Sequence, residues 1–414
     1  MSSKRPLLPI FLIVLVDIMG FTLVIPLLAI YAETYGASPF VATSLVSTYA
    51  VCQLVSGPLL GRASDRVGRK PMLLLSQLGT CAGFILLARA NALWVIFAAR
   101  ALDGATAGNL SLAQAYISDN TPPEKRASSF ALIGIAFGIG FFLGPSMTGM
   151  LTPYGLAAPI YAAAGLSLTS ILCTLFLLPG GRPAASVQQQ APRPFRLFAR
   201  PASLEGPNRS VLLGLLGQFF CFSVAFSLYM SGFALFSERR FRWNGHPFGP
   251  HEIGLVFGYV GFLGIILQGG LFKRLAKRFG EWRLTSIGFG AMVVYSTILS
   301  GAHGLVALAI AATLSPMGNA FIRPTLTSFI TQKADRGEQG AVLGFQQSLQ
   351  ATAQIIAPLV AGLLIDRGWL PAWAGCTALA AGAGLFLARW GSGKMKAKGN
   401  VPGAPTGPSL ATPR

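Results

Sequence analysis

Pro9-Ile-Phe-Leu-Ile-Val-Leu-Val-Asp17-Ile-Met-Gly20-Phe21-Thr22-Leu-Val-Ile-Pro26-Leu-Leu-Ala-Ile30 holds one charged residue, Asp17, in an otherwise apolar run. A hydrocarbon core about 30 Å thick takes roughly 20 such residues as a helix. The length of the run, the acid inside it and the lack of a small-residue cleavage site after it argue against a removed signal peptide. The stretch is therefore expected to be a first membrane span.

The rest of the chain repeats the pattern. Of 414 residues, 53% are hydrophobic and 11% charged, whereas a soluble domain carries about 25% charged residues. Hydropathy predicts twelve spans, near 9–31, 40–60, 72–89, 92–115, 128–150, 156–178, 210–235, 252–272, 284–301, 304–330, 339–364 and 370–389. The runs are continuous rather than alternating, and an open sheet leaves its backbone unsatisfied in lipid, so strands are not expected.

A formal charge of +19 could suggest a nucleic-acid partner. Its distribution points to topology instead. Of the 32 Lys and Arg residues, only Arg89, Arg239, Arg240, Arg242 and Arg367 fall on the side opposite the N-terminus, and Arg100 and Arg323 fall within spans. This positive-inside bias places both termini in the cytoplasm, in an inner or plasma membrane. Membrane lipid is then the surrounding partner, with no nucleic acid. Cys52, Cys81, Cys173, Cys221 and Cys376 each fall inside a span and read as small packing residues. His246, His251 and His303 form no metal cluster, and no phosphate-binding glycine loop is present, so neither a metal nor another cofactor is expected.

The spans divide into two sets of six. Gly108-Asn109 in span four recurs as Gly318-Asn319 in span ten, Gly144-Pro145 in span five as Ala357-Pro358 in span eleven, and Gly149 as Gly362. The 61–68 stretch finds a weaker echo in 270–280. The expected organisation is an all-α membrane protein with two pseudo-symmetric six-helix halves, 1–178 and 210–390. Between them lies a Pro-, Gln- and Arg-rich cytoplasmic linker, 179–209, and after them a disordered tail from 391. Within the linker, Phe195, Leu197 and Phe198 alternate with Arg196 and Arg200, which suits either the membrane surface or a plain loop.

Between spans two and three stands Gly61-Arg-Ala-Ser-Asp65-Arg66-Val-Gly68-Arg69-Lys70. Gly61 permits close approach of a neighbour, and Asp65 reads as a helix-capping acid beside basic residues. This stretch resembles the loop signature of the major facilitator superfamily, and the resemblance extends to about residue 390. It implies a monomeric transporter rather than an enzyme. It further implies that Gly61, Asp65, Gly68 and Arg69 latch the halves together on the cytoplasmic side, Asp65 facing the start of span eleven and Arg69 pairing with Asp119. Positive-inside topology alone suffices for Arg66 and Lys70.

Glycines four apart in span five make a groove for helix packing, and Pro145 can bend the helix. The order Gly140-x-x-x-Gly144-Pro145-x-x-x-Gly149 also resembles the signature of the family's drug:proton antiporters, departing at Thr148, where a glycine is usual. Span one is similar to that of tetracycline-type and multidrug exporters, which carry an acid there. Those tetracycline exporters have further acids in spans three and nine. Neither 72–89 nor 284–301 contains Asp or Glu here, which argues against tetracycline itself. The implied function is proton-coupled efflux of a small amphipathic compound. The rival readings are a metabolite uniporter or symporter and a non-transporting receptor or scaffold.

Charged groups inside the membrane are costly and therefore functional candidates. Arg100 and Asp103 share a helical face, so they can pair. That pair would be either structural or linked to proton transfer, as the resemblance implies for Arg100. A proton carrier has to exist in its neutral form at working pH, which desolvation favours and a neighbouring cation opposes. Asp17 has no cation within a turn of its own helix, so it is the favoured carrier, with Arg100 as modulator and Asp103 holding Arg100 in place. For the substrate cavity the candidates are Gln218 and Phe222 in span seven, within an aromatic set that includes Phe226 and Tyr229. Arg323 in span ten and the Gln346, Gln350, Gln354 stripe in span eleven complete them. The glutamines suit either a cavity or interhelix hydrogen bonds. Arg323 suits either a cavity charge or a side chain snorkelling to the interface.

Overall fold

The computed structural model describes residues 7–121, 123–178, 204, 209–334 and 339–397, of which 7, 340, some between 118 and 134 and those beyond 390 are described by backbone alone. The linker, with Phe195, Arg196, Leu197, Phe198 and Arg200, and the tail from 398 lie outside the described residues.

The first half comprises α1 (Leu7–Glu33), α2 (Pro39–Val67), α3 (Arg69–Ala88), α4 (Leu93–Ala105), α5 (Asn109–Asn120), α6 (Pro123–Leu151) and α7 (Ala158–Leu177). The second comprises α8 (Arg209–Arg240), α9 (Pro250–Ile265), a π-helical segment (Ile266–Leu271), α10 (Phe272–Phe279), α11 (Glu281–Gly301), α12 (Leu305–Lys333), α13 (Gln339–Asp366) and α14 (Leu370–Ala397). Among the described residues, eleven helices are each long and apolar enough to cross a membrane alone. The twelfth crossing is span four, which is made of two pieces, α4 and α5, rather than one helix. Together with the eleven they give two six-span halves.

The break in span four is stabilised from α3. Ser76 Oγ accepts from Gly108 N at 2.9 Å and donates to Thr106 O. Ser56 Oγ of α2 donates to Gly104 O at 2.8 Å. Backbone groups released by the break thus find side-chain partners, as an apolar surrounding requires. Periodicity could not show this, because Ala105 to Gly108 is as apolar as its flanks.

Helix ends correct three other sequence expectations. The 61–70 stretch is helical up to Val67, so Asp65 lies in the last turn of α2 and not in a loop. Gly68 alone makes the turn, at φ 108°, donating to Ser64 O at 3.0 Å. Its counterpart in the second half is Gly280, at φ 82°, donating to Ala276 O at 2.9 Å. Both positions lie in the left-handed region that glycine tolerates. The last helix continues past Gly391 to Ala397. Finally, Arg242–Trp243 pairs with His246–Pro247 as a two-residue hairpin. Asn244 and Gly245 turn it with φ 49° and 87°, the conformation that an Asn-Gly pair favours.

The halves meet mainly along two crossings, α2 with α13 and α6 with α9, and α1 also touches α8. At one end the backbones touch. A Cβ on Gly362 would collide with Thr43 and the Phe40 backbone. One on Gly254 would lie 2.5 Å from Gly149 N, and one on Gly261 2.5 Å from Phe142 Cα. Ser47 Oγ donates to Ile355 O at 2.7 Å. Farther along α2, Gly57 and Gly61 have no atom within 4 Å of a Cβ position, and the same holds for Gly344 on α13. Among the described residues the α2–α13 crossing splays, so the bundle is closed at the end bearing Glu33 and open between α2 and α13 at the end bearing Asp65.

Candidate functional site

Three regions among the described residues bear on transport: an acid–arginine cluster in the first half, an ion-paired group at the open end, and an aromatic cavity between the halves.

In the first half, Arg100 Nη1 lies 3.0 Å from Asp103 Oδ2, with both side chains nearly inaccessible. The guanidinium stacks over Tyr49 of α2 at 4.7 Å. Gly83 and Gly104 make room for this layer: a Cβ on Gly83 would press on Asp103, and one on Gly104 on the Tyr49 backbone. Asp17 reaches the same layer from α1. Both its carboxylate oxygens are buried with no hydrogen-bond partner. Ser170, Asn109 and the charge of Asp103 all lie within its reach, yet neither neutral side chain attains bonding geometry. Asn109 Oδ1 is likewise buried and unpartnered, while Ser170 Oγ is held by Gln77 Nε2 at 2.8 Å. Tyr49 lies within electrostatic reach of Asp17, Arg100 and Asp103 alike. Sequence reasoning did not single it out, because a tyrosine in an apolar span carries no positional signal.

At the open end, Arg69 bridges two acids, Asp65 at 2.6 Å and Asp119 at 2.8 Å. Lys70 Nζ donates to Leu175 O and Leu178 O at 2.8 and 2.7 Å, serving the unpaired carbonyls at the end of α7. Gly61 and Gly68 lie on the same segment.

The span-five motif divides between two neighbours. Gly140 and Gly144 admit Ile18 and Thr22 of α1, and Gly149 faces Gly254 and the His251 carbonyl of α9. Thr22 Oγ1 donates to Gly140 O at 2.8 Å. Thr148, the departure from the motif, donates to Leu23 O at 2.6 Å, so the hydroxyl is used as an interhelix bond. Pro145 lies within α6 without ending it.

Between the halves lies a cavity lined by Phe137 and Phe141 of α6, Phe226 and Tyr229 of α8, Phe257 of α9 and Tyr295 of α11. Its polar lining includes Gln268, on the π-helical segment, and Ser315 and Asn319 of α12. Of the sequence candidates, Arg323 reaches the cavity wall, its guanidinium stacking over Phe137 at 4.8 Å. Gln218 and Phe222 do not line the cavity; both are buried in α8, with Phe222 stacked behind Phe226 at 5.8 Å. Gln346 donates to Thr327 Oγ1 at 3.0 Å, bonding α13 to α12, and Gln350 is half-buried on the same helix. Gln268 and the α6 phenylalanines were missed, since a π segment and a partner across the interface leave no trace in one helix's periodicity. Asn319 was visible only as a repeat marker.

Comparisons with known proteins agree with this architecture. Residues 10–358 match the model of the Major Facilitator Superfamily. The chain is 30% identical over 392 residues to the tetracycline resistance protein, class C, of Escherichia coli, covering 94% of this chain and 96% of that protein. It is 25% identical over 369 residues to multidrug resistance protein 2 of Bacillus subtilis (strain 168), covering 86% and 89%. The crystal structure of the human organic anion transporter MFSD10 (TETRAN) superposes with a TM-score of 0.72 at 25% identity, covering 94% of this chain and all of that one. A family match over most of the length, on twelve membrane crossings in two halves, shows that the chain belongs to the major facilitator superfamily and is a multi-pass membrane transporter, not an enzyme.

Proposed function

We propose that the protein exports small amphipathic compounds in exchange for protons, by alternating access of the cavity between the halves. The observation that carries this reading is the environment of Asp17: a carboxyl group with both oxygens buried and unpartnered, beside an Arg100–Asp103 pair. An anion left without partners out of water is costly, and binding a proton removes the charge. Asp17 is then the proton carrier, Arg100 its modulator, and Asp103 the group that positions Arg100. The relatives' names, which include tetracycline and multidrug resistance, support efflux. The absence of acids from 72–89 and 284–301 favours a compound other than tetracycline.

The positive-inside bias places the Asp65 end in the cytoplasm, so the conformation described above receives substrate from inside. Closing that end would bring Asp65, Arg69 and Asp119 onto the start of α13 and open the Glu33 end. Single cysteines at Gln188 and Gly245 are then expected to label from opposite sides of the membrane. Both halves and the cavity belong to one chain, so the monomer is the proposed working unit.

Everted membrane vesicles test the activity. An imposed proton gradient, acid inside the vesicle, is expected to drive accumulation of dye and drug substrates, and an uncoupler to abolish it. Equilibration that ignores the gradient would identify a uniporter. No flux across a broad panel of amphipathic compounds would overturn the proposed substrate class.

A further inference from the structure

The two halves carry their charge differently. The first half holds two acids and one arginine inside its spans. In the second half, the described carboxylates are Glu238, Glu252, Glu281 and Asp366, each in a terminal turn of its helix. Arg323 lies well inside α12 and has neither an ion pair nor a hydrogen bond among the described residues. Its guanidinium stacks over the face of Phe137, in the other half. A side chain snorkelling to the interface would run along its own helix toward the headgroups. This one instead points across the gap between the halves, toward the cavity.

The lining of that cavity suits an anion. Asn319 and Pro316, one and two turns from Arg323 on the same face of α12, belong to it, as does Gln268. Neither Asn319 nor Gln268 has the N–H groups of its side-chain amide engaged by another described residue. Amide N–H groups donate, and so does a guanidinium. The aromatic walls accept a flat apolar body. No acid lines the cavity among the described residues, so a cationic compound would meet Arg323 with nothing to offset the repulsion. A guanidinium kept from water without a counter-charge is unfavourable, and an incoming carboxylate or sulfonate supplies that charge.

We propose that the exported compound is an organic anion with a flat, apolar body, its carboxylate or sulfonate held by Arg323 and its body seated among Phe137, Phe141, Phe226 and Tyr229. On the exchange reading proposed above, each cycle brings one proton in and takes one negative charge out. Two charges then move in the same electrical sense, and an inside-negative membrane potential drives export together with the pH gradient.

Three probes of one shape separate the charge classes: 2-naphthalenesulfonate, neutral 2-naphthalenemethanol and cationic 2-naphthylmethylammonium. Binding is measured calorimetrically on the purified full-length protein in nanodiscs, with empty nanodiscs subtracted. The sulfonate is expected to bind at least tenfold more tightly than the alcohol, and the ammonium most weakly. Arg323→Gln should remove the preference for the sulfonate, while Arg323→Lys should retain part of it. Should Arg323→Gln fail to yield folded protein, Asn319→Ala and Arg323→Lys carry the test, each with an expected severalfold loss for the sulfonate alone. Equal or tighter binding of the ammonium, an unchanged preference in these variants, or no binding of any probe at millimolar concentration would overturn the assignment. Proteoliposomes with a potassium diffusion potential at equal pH on both sides then report the charge movement. An inside-negative potential should speed sulfonate export severalfold, and no response would overturn the two-charge cycle. Anion-selective binding without any effect of a pH gradient would leave the charge class standing and remove proton exchange. Proton-driven export of cations alone would do the reverse.

Discussion

Arg239 Nη2, at the end of α8, lies 2.5 Å from Glu33 Oε1, at the end of α1, and so ties the first helix of each half together at the closed end of the bundle. Glu238 reaches the same arginine at 3.3 Å. Nearby, His251 Nδ1 donates to Gly149 O at 2.6 Å across the α6–α9 crossing. The Arg239–Glu33 and His251–Gly149 bonds join the two halves and exist only while this end is closed. Partly exposed ion pairs contribute about 0–1 kcal/mol. Glu33→Gln is therefore expected to shift the balance toward opening of this end by no more than about fivefold. Spin-label distances across the Glu33 end check this, and the charge-swapped pair Glu33→Arg with Arg239→Glu should restore the original distribution.

The glycine crossing is the stronger constraint. A Cβ at position 254 would fall 2.5 Å from Gly149 N and 2.8 Å from Pro145 O, and backbone atoms cannot move aside as a flexible side chain can. Overpacking of this kind costs about 1–3 kcal/mol. Gly254→Ala is expected to depopulate the conformation closed at this end, with normal insertion. Unchanged spin-label distances in that variant would show that the crossing tolerates the methyl group.

Asp65 bears on the opposite conformation. Its ion pair here is with Arg69, in its own half. Asp65→Asn is expected to leave the contacts at the Glu33 end intact and to weaken closure of the Asp65 end. Efflux should slow severalfold at normal expression, with more of the population in the conformation described here. An unaltered conformational balance would restrict Asp65 to setting topology.

The Arg100–Asp103 pair should behave as a unit. Removing one member of a buried pair leaves an uncompensated charge and costs about 3–5 kcal/mol. Arg100→Ala is accordingly expected to lower the unfolding midpoint in detergent far more than a mild surface change, and the double variant Arg100→Ala, Asp103→Ala to recover much of the loss. Additive losses would mean that the two side chains act independently.

Coupling separates the two acids. Asp17→Asn is expected to abolish pH-driven efflux while leaving substrate binding measurable, because the amide cannot exchange a proton. Asp103→Asn should keep some coupling, since Asp103 is committed to Arg100 at 3.0 Å. The two are compared by efflux rate against external pH. Wild type should pump faster as the outside becomes more acid, and Asp17→Asn should be flat. A wild-type profile in Asp17→Asn with loss in Asp103→Asn would reverse the assignment.

The class and the spans were legible in the chain before any fold was known. Twenty-residue apolar runs and one-sided basic charge follow from the thickness and polarity of the bilayer, which act on each segment separately. The Arg100–Asp103 pair was legible for a similar reason: residues three apart on one helix meet wherever that helix packs. The relations between helices came from tertiary packing. Nothing within α12 reveals that Arg323 meets Phe137, nothing within α6 that Gly149 faces Gly254, and nothing within α4 and α5 that Ser76 of α3 holds their break. In lipid every apolar face is equally acceptable to the surroundings. Which faces meet is settled by close packing and by the satisfaction of the few polar groups, and both depend on partners far away in the chain.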